Sequence, residues 1–190
     1  MCGVIAPIFA FACILSAVTF WSQFSWADNA LSDLGVQPGI TAIVFNVGLV
    51  VSGLLFLVFA AGLFMLMRRQ VLGKVGAVIF ALSCIALIGI GVFNESYSPT
   101  HYQVSVAFFV LFPISLFVLS AALWRLRQRG FGVFTLGVAL VAAAVWVLEF
   151  TLHYVPNVAV PEFVSGLAGA VWMETLSVRV LKTPPNSAKS

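Results

Sequence analysis

The chain has 190 residues, of which 62% are hydrophobic and only 8% are charged, where an ordinary soluble domain carries about 25% charged residues. This excludes a soluble globular domain, a disordered chain and a secreted disulfide scaffold, and it leaves a polytopic membrane protein. Nine basic and six acidic residues give a net charge of +3. That excess implies no nucleic-acid partner, because bases accumulate on one side of a membrane for topological reasons.

Polar breaks divide the sequence into six apolar runs, each near the ~20 residues that a spanning helix needs. The runs cover 4–24, 39–67, 72–93, 102–126, 131–154 and 161–181. They are too long and too uniformly apolar for barrel strands, which alternate. The expected fold is therefore all-α, a polytopic integral membrane six-helix bundle in one domain over 1–181. The first run, MCGVIAPIFAFACILSAVTFW, lacks the basic leader of a cleaved signal peptide and reads as a retained span. The second is long enough to tilt. Pro113 lies inside the fourth and should kink it. Gly89 and Gly91 let the third approach a neighbour closely. The end, 182–190 (KTPPNSAKS), reads as a disordered cytoplasmic tail. The three cysteines, Cys2, Cys13 and Cys84, are scattered among apolar residues and form no CxxC pair, so they read as small buried hydrophobes.

Every base falls on one side. Arg68, Arg69 and Lys74 lie around the break between the second and third spans, Arg125, Arg127 and Arg129 in the break between the fourth and fifth, and Arg179, Lys182 and Lys189 close the chain. The positive-inside rule puts both termini in the cytoplasm of a multi-pass protein of the plasma (inner) membrane. The opposite, outer face holds Asp28, Asp33, Glu95 and Glu162 without any Lys or Arg. Tyr97, Tyr102, Tyr154, Trp21 and Trp26 form an aromatic belt there.

The remaining polar residues converge on that outer face. Ala27 to Leu34 could form a short helix started by Asp28 or Asn29 and ended by Gly35, with Asn29 and Asp33 on one face. Asn46 lies about two turns into the second span. Asn94 and Glu95 close the third. His101 and Ser105 sit four apart at the start of the fourth, Glu149 and His153 four apart at the end of the fifth, and Glu162 at the start of the sixth, where a helix N-terminus favours a carboxylate. Glu149 is the more telling acid, because an ionisable group one turn inside an apolar run needs a partner or water, and His153 is the obvious partner. Glu174 is the other intramembrane acid. The competing explanation for the whole cluster is solvated loop chemistry and helix caps.

Three chemistries fit these residue types. Two histidines plus carboxylates (His101, His153, Glu149) can hold a divalent metal whose bound water hydrolyses a lipid amide or ester. The same histidines could ligate a haem, although both sit nearer the interface than a haem would require. A line of Glu149, His153, Asn46 and Glu174 could relay protons or a cation, but no span is broken at mid-depth as transporter sites usually are. A fourth, non-catalytic reading is a scaffold or accessory subunit, partnered by other membrane subunits or by copies of itself.

The segments DNALSDLGV (28–36), FNVGLVVSG (45–53), FNES (93–96), HYQVSVAFF (101–109) and PEFVSGLAGAVW (161–172) resemble a prokaryotic six-span membrane family known as domain of unknown function 998. Ser32, Asp33, Asn46, Glu95, His101, Ser105 and Glu162 match its recurring polar positions. Glu149 and His153 do not belong to that pattern. The family implies a six-span fold and carries no activity. A looser likeness, in the Ser, Asp and His combination at one membrane face, is to ceramidase-like intramembrane metal hydrolases, which use three histidines where this chain has two.

The expectation is thus an outward polar site. Asp33, His101, Ser105 and Glu162 are its candidate catalytic groups. Ser32, Asn46, Asn94 and Glu95 are its candidate substrate-binding groups. Membrane lipids are the expected partners, and a lipid-like molecule at the outer leaflet is the expected ligand, to be bound or hydrolysed. Whether the chain is an enzyme is left open by its residues.

Overall fold

The computed structural model describes residues 2–182. Six helices run in order: α1 (Cys2–Phe20), α2 (Ile40–Leu66), α3 (Val71–Val92), α4 (Thr100–Arg125), α5 (Arg129–Leu152) and α6 (Ala159–Lys182). All six are long and apolar enough to cross a membrane, and no strand occurs among the described residues. The chain is a multi-pass integral membrane protein. The expected tail lies, beyond Lys182, outside the described residues.

Without water in the bilayer core each segment must satisfy its own backbone, so every apolar run becomes a helix. Neighbours in sequence are neighbours in space, and α6 returns to pack on α1, closing a ring. The two short links at 67–70 and 126–128 carry Arg68, Arg69 and Arg127, with Arg125 and Arg129 at the adjoining helix ends, and define a basic end. The longer links gather at the other end, with Asp28, Asp33, Glu95 and Glu162 nearby, and define an acidic end.

Hydrophobicity does not decide which face turns inward, because every face is apolar. Small and weakly polar residues mark it instead. Ser52, Ser83, Ser115, Ser120, Thr135, Ser165 and Ser177 are all buried. Ser83 and Ser115 return their hydroxyls to the carbonyls of Phe80 and Phe112, which hides the polar atom inside the helix. Ser120 reaches across to the Gly132 carbonyl and ties α4 to α5. At Gly91 an added Cβ would lie 2.6 Å from the Asn46 carbonyl oxygen. That glycine is what permits α2 and α3 to touch backbone to backbone. The large valines, leucines and isoleucines of α2, such as Ile43, Val47, Leu54 and Val58, stay exposed on the outside of the ring.

Two clusters fill the ring. One, toward the basic end, centres on Phe80, Phe112, Leu116, Leu119, Trp172 and Met173. The Trp172 indole N–H donates to the Thr135 hydroxyl at 3.0 Å, so its one polar atom is satisfied in the core. The other cluster, toward the acidic end, joins Ala17, Leu31, Leu34, Phe45, Leu49, Leu87 and Ile90. Helix α4 runs through Pro113 without a break in its helical span. Helix α1 stops at Phe20, earlier than the apolar run suggests. Beyond it Trp21, Phe24 and Trp26 stack edge to face, and Trp26 closes on Phe163 of α6. These aromatic contacts turn the chain over the acidic end.

Candidate functional site

The site is built on the turn after α1. A short helix was expected over Ala27 to Leu34. The structure instead forms a 3-10 helix at Leu31–Val36. The cause is Asp33. Its carboxylate accepts the Ala30 N–H at 3.0 Å and the Asn29 side-chain amide at 2.9 Å, so the preceding chain is turned by a side chain rather than by helical bonds. Asp28 takes the Ser25 hydroxyl at 2.6 Å. Gly35 does not end a helix. Its carbonyl accepts amide hydrogens from Asn46 at 2.8 Å and Asn94 at 3.3 Å, which pins the turn onto α2 and onto the α3–α4 link.

This turn brings three carboxyl groups together. Glu162, at the start of α6, accepts the Leu31 N–H at 2.6 Å across 131 residues of sequence. Glu95, from the α3–α4 link, accepts the Ser32 hydroxyl at 2.6 Å. Asp33 interacts with both. Burial pushes the Glu95 carboxyl above the ordinary carboxylate range. The Ser32 hydrogen bond and His101 oppose that rise, and the Asp33 carboxylate adds to it.

His101 is buried in the first turn of α4. Its Nδ1 lies 2.6 Å from the Phe93 carbonyl oxygen and its Nε2 lies 3.4 Å from the Ser105 hydroxyl. A carbonyl oxygen can only accept, so Nδ1 carries a proton. In the neutral ring Nε2 is then an acceptor facing Ser105. A serine hydroxyl, a ring nitrogen and an orienting acceptor stand in the order that nucleophile activation requires, with the loose spacing usual before substrate arrives.

Ser32, Asp33, Glu95, His101, Ser105 and Glu162 all line one cleft of about 490 Å³ at the acidic end. Its far wall is apolar: Val106, Phe109 and Val110 from α4, Trp146 and Phe150 from α5. From Tyr102 to Val110 this wall runs about 12 Å down α4. Beneath lies a second, smaller chamber of about 110 Å³ inside the ring. Phenylalanines and leucines of α1, α2, α3, α4 and α6 line it, and it shares Ser32 and Glu162 with the cleft.

Several expected residues stand elsewhere. Asn46 and Asn94 hold the Gly35 carbonyl and do not line the cleft, so they position the turn. Glu149 and His153 do not pair. Helix α5 ends at Leu152, and His153 adopts a left-handed conformation (φ 48°) with its side chain exposed, which removes the four-residue facing that an intact helix would give. Glu149 is buried and its Oε2 has no hydrogen-bond partner. The expected metal set of His101, His153 and Glu149 is therefore not assembled, and among the described residues no three His, Cys, Asp or Glu side chains converge to hold an ion. The alternative relay line of Glu149, His153, Asn46 and Glu174 meets the same obstacle at its Glu149–His153 step.

Asn157 was missed by sequence reasoning. It lines the cleft and donates to the Asp28 carbonyl at 3.0 Å, while its N–H reaches the Ala27 carbonyl. Its place between Pro156 and Pro161 was the available signal. The wall residues Phe109, Trp146 and Phe150 were missed too, because in sequence they look like any lipid-facing aromatic.

No curated protein and no solved structure matches the chain. A family model described as "Protein of unknown function (DUF998)" matches residues 4–179. With nearly every described residue inside that match, including all six lining groups named above, the chain belongs to the DUF998 family of membrane proteins.

Proposed function

We propose that this protein binds a lipid-like amphiphile in the cleft at its acidic end, which faces the outer leaflet of the plasma membrane while both termini lie in the cytoplasm. One observation carries the reading: a single cleft joins a cluster of polar side chains to an apolar wall running down α4 and α5. A soluble polar ligand would have no use for that wall, and a wholly apolar one would leave the polar groups unpaired. The orientation follows from the bases, which among the described residues lie toward the other end. Saturable photo-crosslinking with a diazirine-bearing alkyl lipid in nanodiscs tests it. Label is expected within 102–110 and 146–162. Label spread evenly over the exposed faces of α2 and α3 would overturn the reading. His101→Ala, with unfolding temperature retained, should lose the saturable fraction.

The geometry at His101 favours hydrolysis as a second step. Ser105 would give its proton to His101 Nε2 and attack an ester or amide carbonyl. His101 would then protonate the leaving group, and water would release the acyl chain by the same route in reverse. A fluorophosphonate probe is expected to label the wild type and not Ser105→Ala. Equal labelling of both removes hydrolysis and leaves binding untouched.

A further inference from the structure

We infer that the ligand is a single-chain amphiphile whose head donates hydrogen bonds, as an ammonium or hydroxyl group, and whose chain end enters the apolar chamber inside the ring. This rests on the binding reading above and adds the class of ligand.

The head follows from what lines the cleft. Asp33, Glu95 and Glu162 converge there, and no lysine or arginine is among the lining residues. One oxygen of each carboxyl is already committed: Asp33 to Ala30 and Asn29, Glu95 to Ser32, Glu162 to Leu31. These bonds fix the groups in place, so their acceptor character is set before a ligand arrives. A phosphate or carboxylate head would set its own acceptor oxygens against these acceptor oxygens in a half-buried setting and leave both unpaired. This matters in a bilayer, where most lipids carry phosphate. The cleft opens beside them and meets their phosphate oxygens with acceptors instead of donors, so it selects a minority amphiphile.

The chain follows from the two cavities. The cleft and the chamber share Ser32, Phe109 and Glu162, so two of the polar groups stand at the boundary between them. The chamber is lined on its apolar sides by Phe45, Leu49, Leu87, Phe108 and Phe112. At about 110 Å³ it approaches the size of apolar protein cavities that stay dry and take up small hydrocarbons. It has room for one chain end and not for two chains. Buried Ala10 of α1 and Ala170 of α6 are among the small residues on its wall.

The test uses full-length protein in nanodiscs of zwitterionic lipid and displacement of a fluorescent alkyl probe. Competitors of equal chain length carry an amine, a glycerol ether, a phosphate or a carboxylate head, each in a short and a long form. The amine or the glycerol ether should displace the probe about a hundredfold more strongly than the phosphate or the carboxylate. Ala10→Leu and Ala170→Leu, on separate helices, should each weaken the long amine about tenfold, the worth of roughly two methylenes kept in water, and leave the short amine unchanged. Equal displacement by all heads, or preference for phosphate, overturns the head assignment while the binding reading stands. Equal weakening of short and long amines in both variants overturns the chain assignment. No probe bound by the wild type sinks this inference and the binding reading together.

Discussion

Replacing Gly35 by alanine tests the lock that holds the site together. An added Cβ would sit 2.6 Å from Asn46 Oδ1 and 3.3 Å from Phe45 Cδ1. Gly35 is not among the residues with positive φ, so the backbone accepts alanine and the penalty is steric alone. The Asn46 amide must swing away, and its 2.8 Å bond to the Gly35 carbonyl breaks. Overpacking of this kind costs about 1–3 kcal/mol, and a lost hydrogen bond about 0.5–1.5 kcal/mol. Gly35→Ala should therefore destabilise by about 2–4 kcal/mol. Asn46→Ala alone forfeits the bond but opens the space, at about 1–2 kcal/mol, because Asn94 still reaches the carbonyl. In the double variant the clash is gone. Its loss should match that of Asn46→Ala, giving a coupling energy as large as the Gly35→Ala loss itself, about 2–4 kcal/mol. Thermal and denaturant unfolding in detergent, followed by circular dichroism, measures all four corners of the cycle. Losses that add to within about 0.5 kcal/mol would refute the steric lock. Probe binding offers a parallel readout, since the same turn carries Ser32 and Asp33. It should fall in Gly35→Ala and recover in the double variant.

Further outcomes follow from single contacts. Burial raises the Glu95 carboxyl above its ordinary value of 4.5. The folded state then holds a proton that the unfolded chain has released. Stability should fall as pH rises through the window above 4.5, and Glu95→Gln should flatten that fall. Asp33, His101 and Glu162 face the same group, so identical pH slopes in wild type and variant would show that they and not Glu95 set the dependence. Thr135→Val strands the Trp172 indole N–H in the core and should cost about 1–3 kcal/mol of unfolding free energy. Trp172→Phe in that background should cost no additional hydrogen-bond energy, so additive losses would show that the 3.0 Å bond contributes nothing. A cysteine placed at Asp28, which is exposed, should react with a membrane-impermeant maleimide on intact cells. Reaction only after lysis would invert the proposed orientation.

The spans were legible because the bilayer imposes them: about 20 apolar residues can do little else there. Local pairs were legible where the spacing survives, as in Asn29 with Asp33 and His101 with Ser105. They failed where an element ended early. Glu149 and His153 have the right spacing, but the backbone leaves the helix at His153, so the periodic rule no longer applies. Identity of the site's acids was legible in Asp33, Glu95 and Glu162. Their partners were not, because the bond from Leu31 to Glu162 spans the whole ring and depends on α6 returning to α1. The roles of Asn46 and Asn94 were hidden for a related reason. An amide that braces a carbonyl and an amide that greets a ligand look alike in a sequence.

The contact between α1 and α6 also sets an order of events during biogenesis. Helix α1 leaves the ribosome well before α6, yet its buried face, Gly3, Ala6, Pro7, Ala10 and Ala17, finds part of its cover only when α6 arrives. Until then the ring stands open as a five-helix arc, and Leu31 waits for the Glu162 carboxylate. Helices inserted one by one must hold their places in lipid before this seam can shut. A nascent chain stalled before 159 would carry most of the site's residues and none of its closure.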